Sequence, residues 1–276
     1  MEGGDSMIIN HNISAVFTNR ILSQTERELS KSIEKLASGV RINKAGDDAS
    51  GLAVSETLRS QIRGLEQAQR NALNSISFIQ TAEGSLQSVH SILHRMRELA
   101  VQSANAIYSQ EDRSLIQVEV SQLIEEIDRI AGTTEFNKFK ILDGSNQEFQ
   151  FQVGPNPGQN ITVVMKTMSA AAIGVSGLTM STIETANEAL SRIDQAVGGV
   201  SKMRASYGAV QNRLEYVVSN LAVAGENLQA AESRIRDTEM ASEIVNFMRL
   251  RILKDSGVAM LMQANLKPES VLRLLG

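Results

Sequence analysis

Two adjacent carboxylates in a glycine-bearing loop, Asp47 and Asp48 of RINKAGDDASG, stand near Arg41 and Lys44 and are the closest approach to an acid–base or metal-binding pair in this chain. Aspartates in such loops more commonly turn and cap the backbone with their side-chain oxygens, and no further ligand type completes a site around them. His90 and His94 lie one helical turn apart, a spacing that can hold a metal. Without a nearby carboxylate they read as surface polar residues, as does the remaining histidine, His11. The segment GPNPG is a turn and not a phosphate cradle, because no lysine-bearing helix follows it. No nucleophile, base and orienting group can be picked out together, so no catalytic residue, cofactor or metal is assigned. Asn12-Ile-Ser and Asn160-Ile-Thr fit the glycosylation sequon, a pattern common by chance. The methionines between 240 and 262 read as packing residues at helical spacing.

With chemistry unpromising, the question becomes what the elements are for. The 276 residues, 42% hydrophobic, suffice for one large domain or two small ones with a sizeable core. The only prolines are Pro155, Pro157 and Pro268, and since a helix interior excludes proline, the stretches on either side of 155–157 are free to be helical. Aromatics make up 4% and Trp is absent, which suits thin helical seams better than a thick globular core. The net charge of −4 and pI near 5.6, with no Lys/Arg block, leave no electrostatic footprint for nucleic acid or an anionic membrane. No run of 18 apolar residues exists to span a bilayer, and MEGGDSMIINHN lacks the basic and apolar regions of a secretory signal. Met7 opens a plausible native start, which makes residues 1–6 a leader or remnant. The absence of Cys removes disulfides and thiolate metal sites, and suits a protein that works outside the cytoplasm.

Periodicity predicts a mostly α fold: long antiparallel coiled-coil helices, N- and C-terminal halves packed together, with a small β-hairpin in the middle. Leu22, Leu29, Ile33, Leu36 and Val40 form one stripe. It stops at SGVRINKAGDDASG, where glycines 39, 46 and 51 with Asn43 and Asp47 interrupt the helix before a second begins. Ser109 with Asp112 resembles a capping signal for a helix to about Arg129. Phe149, Phe151 and Val153, then Ile161, Val163 and Met165, alternate with polar residues around GPNPG and predict a hairpin near 147–166. Ser181 with Glu184 suggests the cap of a helix over 182–235, where Leu214, Leu221, Leu228 and Ile235 form one heptad column. Val210, Val217, Ala224 and Ala231 form the adjacent column. A helix of that length spans about 80 Å, too long to bury its stripe alone, so it must pair with the N-terminal half. Apolar positions near both ends, Ile8 to Phe17 and Ile244 to Leu275, exceed what a two-helix hairpin covers, and such stripes mark an interface.

The blocks MIINHNISAVFTNR, LSKSIEKLASGVRINKAGDDASGLAVSETLRSQIRGL, MRELAVQSAN, EIDRIAGTTEFNKFKILDG, ENLQAAESRIRDTEMASEIV and MLMQANLKPESVLRLLG together resemble bacterial flagellin, in order and over nearly the whole chain. The resemblance implies a structural subunit that polymerises into the flagellar filament for motility, and not an enzyme. It implies terminal helices 7–43 and 236–276 in an inner-tube domain, and an outer-tube domain from 44–180 and 181–235. The direct passage from the hairpin to the last helices implies that the family's variable outer domains are absent. In this short form the sequence looks most like spirochaete periplasmic core flagellins.

The same resemblance implies export by the flagellar type III route, placing the filament in the periplasm or else outside the cell. It implies as partners other copies of itself, other flagellin isoforms, sheath proteins, the cap and hook-associated proteins, and an export chaperone on the C-terminal region. It implies no nucleic acid and no membrane insertion. Arg95, Leu99 and Glu119 match the pattern that Toll-like receptor 5 recognises in the family. A hook–filament junction protein or a non-flagellar helical adaptor are the rival readings; the first shares terminal helices but should lack the MRELAVQSAN block, and the second has no reason for apolar ends.

Overall fold

The computed structural model describes residues 11–275, with side chains as far as Leu266. The proposed leader, Ile8, Ile9 and the side chains of the last apolar residues lie outside the described residues. The chain runs α1 (Ile13–Ser38), α2 (Ala49–Ser103), α3 (Gln110–Thr133), β1 (Glu135–Phe136), β2 (Phe139–Lys140), β3 (Glu148–Gln152), β4 (Asn160–Val164), α4 (Ile183–Arg236) and α5 (Met240–Leu275). It is mostly helical, with α1 packed on α5 and α2 on α4, and two small two-stranded sheets in the middle.

Two compact units divide the chain, residues 1–60 with 228–276 and residues 61–227. The division falls inside α2 and α4, where the sequence reading put it at 43/44 and 235/236. Polar ties join the first turns of α2 and the last of α4 to the break between helices. Arg236 pairs with Glu56 at 2.7 Å, Ser55 donates to Glu232 at 3.1 Å, and the Arg41 guanidinium donates to the Ile235 carbonyl at 2.7 Å.

In the first unit, Asn12 caps α1 by accepting from the Ala15 N–H at 3.0 Å, while its own amide donates to the Ala264 carbonyl of α5 at 2.8 Å. Gly39 ends α1 in the left-handed region at φ 72°, its N–H on the Lys35 carbonyl. The chain then forms a bridge between Val40 and Asp237. Antiparallel pairing of α1 and α5 is fixed by Asn12 with Ala264, Leu22 against Gly257 and Ser32 with Glu243.

The second unit is built on heptads. In α2, Ala72, Ile79, Leu86, Leu93 and Ala100 form one fully buried column, flanked by Ser75, Ala82, Val89, Met96 and Ser103. In α4, Ala186, Ile193, Val200, Tyr207 and Leu214 are buried at the same period. Arg97 to Asp194 at 2.7 Å and Arg204 to Glu83 at 3.6 Å set these helices antiparallel. Val120 and Ile127 of α3 complete the core. Ser109 and Asp112 make the expected reciprocal box at the start of α3, which runs to Thr133, one turn beyond the expected end. The cap of α4 is Thr182, which accepts from the Thr185 N–H at 3.2 Å, one residue later than the Ser181–Glu184 reading.

The β3–β4 hairpin pairs Phe149 with Val163 and Phe151 with Ile161, and its aromatic face closes on α2. Phe78 meets Phe136, Phe149 and Phe151 at centroid distances of 5.6, 4.7 and 5.5 Å. The turn packs so close to α2 that a Cβ on Gly64 would lie 2.8 Å from Pro155 Cβ. From β4 to α4 the chain crosses as a buried strap through Met165, Met168, Ala170, Val175, Leu178 and Met180. Asp128 accepts from the Ala170 N–H at 2.7 Å and Gln117 from the Met180 N–H at 2.6 Å, so the strap's backbone is satisfied by α3 side chains.

Candidate assembly surface

Of the groups that might have done chemistry, Asp47 and Asp48 are structural. Asp48 caps α2, accepting from the Gly51 N–H and the Ser50 hydroxyl at 2.9 Å each, and Asp47 accepts from the Lys44 and Asn43 N–H groups at 3.1 and 3.3 Å. Those bonds favour the ionised form and hold both carboxyls below the usual aspartate range. A Cβ on Gly51 would press against the Asp48 carboxylate and Ile42 Cδ1, so a side chain there would push the capping group aside. A hollow of 560 Å³ beside the hairpin is floored by Phe78, Phe149 and Phe151 and rimmed by amides, with no nucleophile–base pair.

What the first unit does offer is apolar surface. The seam between α1 and α5 is narrow: Leu22, Thr25, Leu29, Ser32 and Leu36 on α1 face Leu250, Gly257, Val258 and Leu261 on α5. The two polar members are satisfied, Thr25 by the Ile21 carbonyl at 3.0 Å and Ser32 by Glu243. The rest of the apolar set points away from it. Ile13, Val16, Phe17 and Ile21 on α1 are exposed, as are Ile244, Val245, Met248, Ile252, Leu253, Met260 and Met262 on α5, with Val245 at 70%. Scattered apolar residues need no explanation, but exposed apolar residues repeated along both helices of a pair mark an interface.

The residues assigned to packing divide accordingly. Leu22, Leu29, Leu36 and Val40 are half-buried, whereas Ile33 is 49% exposed, because Ser32 occupies the seam position beside it. Leu214 is fully buried, and Val217, Leu221, Leu228 and Ile235 are half-buried. Arg95 and Glu119 are held together at 2.8 Å on the surface of α2 and α3, and the shared bond raises the Arg95 guanidinium above its ordinary value. Leu99, assigned with them, is 2% exposed and packs within the core on the helix that carries Arg95.

Sequence and structure comparisons point the same way. Residues 9–147 match the bacterial flagellin N-terminal helical region and residues 190–275 the bacterial flagellin C-terminal helical region. A flagellar filament 30.7 kDa core protein of Treponema maltophilum is 52% identical, over 98% of this chain and 100% of the relative. A flagellin of Halalkalibacterium halodurans is 49% identical over the same shares. The crystal structure of Bacillus cereus flagellin superposes with a TM-score of 0.50 at 30% identity, covering 55% of this chain and 88% of that one.

Proposed function

We infer from this chain's belonging to the bacterial flagellin family, whose members form the core of the flagellar filament, that the exposed apolar face of α1 and α5 is the surface through which its subunits join. The chain is a filament core subunit and polymerises; flagellins are structural and not enzymes. The observation behind the choice of surface is the outward row Ile244, Val245, Met248 and Ile252 at one end of the helix pair, with Ile13, Val16 and Phe17 exposed near Met260 and Met262 at the other; no part of the described chain covers them. Burial of apolar side chains contributes about 1.5–3 kcal/mol each, so a row of this size supplies ample drive for association. The inner-tube role belongs to this face, and the outer-tube role to residues 61–227.

The periplasm is the compartment of this filament. Similarity to the Treponema maltophilum core protein along the full chain supports it. Cap and hook-associated proteins meet the same terminal helices, an export chaperone shields the apolar face of α5 before assembly, and sheath proteins and other isoforms contact the outer surface. Receptor recognition, if the monomer is released, uses Arg95 and Glu119, both exposed, and not Leu99.

Deleting α1 (Ile13–Ser38) tests the assembly role. The truncated chain should keep the helical signal of residues 61–227 and form no filaments by electron microscopy; normal filaments would remove the role from this face. Electron tomography of intact cells should show the filament beneath the outer membrane, and an external filament would overturn the periplasmic placement.

A further inference from the structure

His90 and His94 share a hydrogen bond between their Nε2 atoms at 3.0 Å, with the rings edge-on at 86° and centroids separated by 4.5 Å. The pair is one turn of α2, so the backbone fixes its spacing. His90 Nδ1 is buried and makes no hydrogen bond, which leaves Nε2 as the accessible nitrogen of that ring, while His94 is exposed. We propose that this pair is a two-imidazole clamp for a divalent late transition-metal ion of tetragonal preference, Cu2+ or Ni2+, with water filling the remaining positions.

The separation of the nitrogens favours that class. With metal–nitrogen bonds of about 2.0–2.1 Å, two ligands at right angles lie about 2.9 Å apart and two tetrahedral ligands about 3.35 Å apart. The hydrogen-bonded nitrogens, 3.0 Å apart, need move little to reach the right-angled value when the ion displaces the shared proton. Imidazole suits these ions, and Cu2+ stands at the top of the affinity order for nitrogen sites. The charge of Arg204 reaches His90.

Arg204 is also the cation that opposes a metal here, and Glu83 offsets it at 3.6 Å. The other nearby guanidiniums are paired as well, Arg95 with Glu119 at 2.8 Å and Arg97 with Asp194 at 2.7 Å. Arg97 and Glu98 line the hollow of 410 Å³ beside His94, which gives the ion and its waters room. Bridging two side chains a turn apart, the ion pins the middle of α2.

Titration calorimetry of the unpolymerised full-length chain with Ni2+, in a non-coordinating buffer, tests the clamp. One saturable site per chain is expected, weakened at least about tenfold in His94→Gln and unchanged in His11→Ala. Because His94 is exposed and Gln is a good helix former, the variant folds. Absence of saturable binding, or equal binding by His94→Gln, overturns the proposal. Electron paramagnetic resonance of the Cu2+-loaded chain should show two coordinated imidazole nitrogens, falling to one in His94→Gln; a single nitrogen in the unaltered protein also overturns it.

Discussion

Ser32 of α1 donates its hydroxyl to Glu243 of α5 at 2.5 Å, a polar bond inside an otherwise apolar seam. The only other side-chain partner described for that carboxylate is the Asn246 amide, at 3.3 Å. Ser32→Ala therefore leaves a half-buried carboxylate with the longer Asn246 bond alone, and loss of such a partner costs about 1–3 kcal/mol. Denaturant unfolding of the monomer, followed by hydrogen exchange in α1 and α5, should show that loss; unchanged exchange would mean that water replaces the serine freely.

Gly257 faces Leu22 across the same seam, and a Cβ there would stand 3.3 Å from Leu22 Cδ1. Two effects oppose each other. Alanine in mid-helix gains about 0.5–1 kcal/mol over glycine, and a single methyl asks Leu22 to yield only slightly. Gly257→Ala should thus melt close to the native protein, while Gly257→Val, with a branched side chain at the close approach, should lower the melting temperature of the first unit. Equal melting of both variants would contradict the tight contact.

Acid should loosen the start of α2. Asp48 titrates below its unfolded value because it accepts from the Gly51 N–H and the Ser50 hydroxyl, and Asp47 because it accepts from Lys44 and Asn43. A depressed folded value means the unfolded chain binds more protons in that window, so stability rises with pH through it. The contribution is complete above the unfolded aspartate value of about 3.9 and disappears as pH falls through the folded one. The Gly51 amide resonance should shift with that transition in the native protein and stay flat in Asp48→Asn, which keeps the cap without the proton. A shift in both would assign the transition elsewhere.

Leu214 and Leu221 share a heptad column, yet Leu214 is fully buried and Leu221 only partly so. Leu214→Ala should cost about 2–5 kcal/mol and Leu221→Ala clearly less, read from denaturant midpoints. Equal losses would show that the seam is uniformly closed.

That column also marks how far the sequence could be read. Heptad spacing exposed Leu214 to Ile235, but the better buried stretch, Ala186 to Tyr207, mixes alanine, valine and tyrosine and gives a weaker hydrophobic signal. On α1 the same rule misdirected: Ile33 is apolar and outward, and Ser32 is polar and inward, because a hydroxyl with a partner on α5 can replace a methyl group in a narrow seam. The main hairpin was legible from Phe149, Phe151, Ile161 and Val163. The smaller β1–β2 hairpin went unread, although Asn137 and Lys138 between two phenylalanines carried the turn; both have positive φ, 49° and 68°. The apolar excess of the ends was visible in composition, whereas which residues face outward needed the helix pair itself.

The account rests most heavily on that outward face. Val245→Glu with Ile252→Glu places two charges on residues that are 70% and 65% exposed, so the monomer should keep its helicity and melting temperature. Electron microscopy under polymerising conditions should then show no filaments, because burying unpaired carboxylates between subunits is prohibitive. Filaments of normal length and yield from the double variant would contradict the assignment.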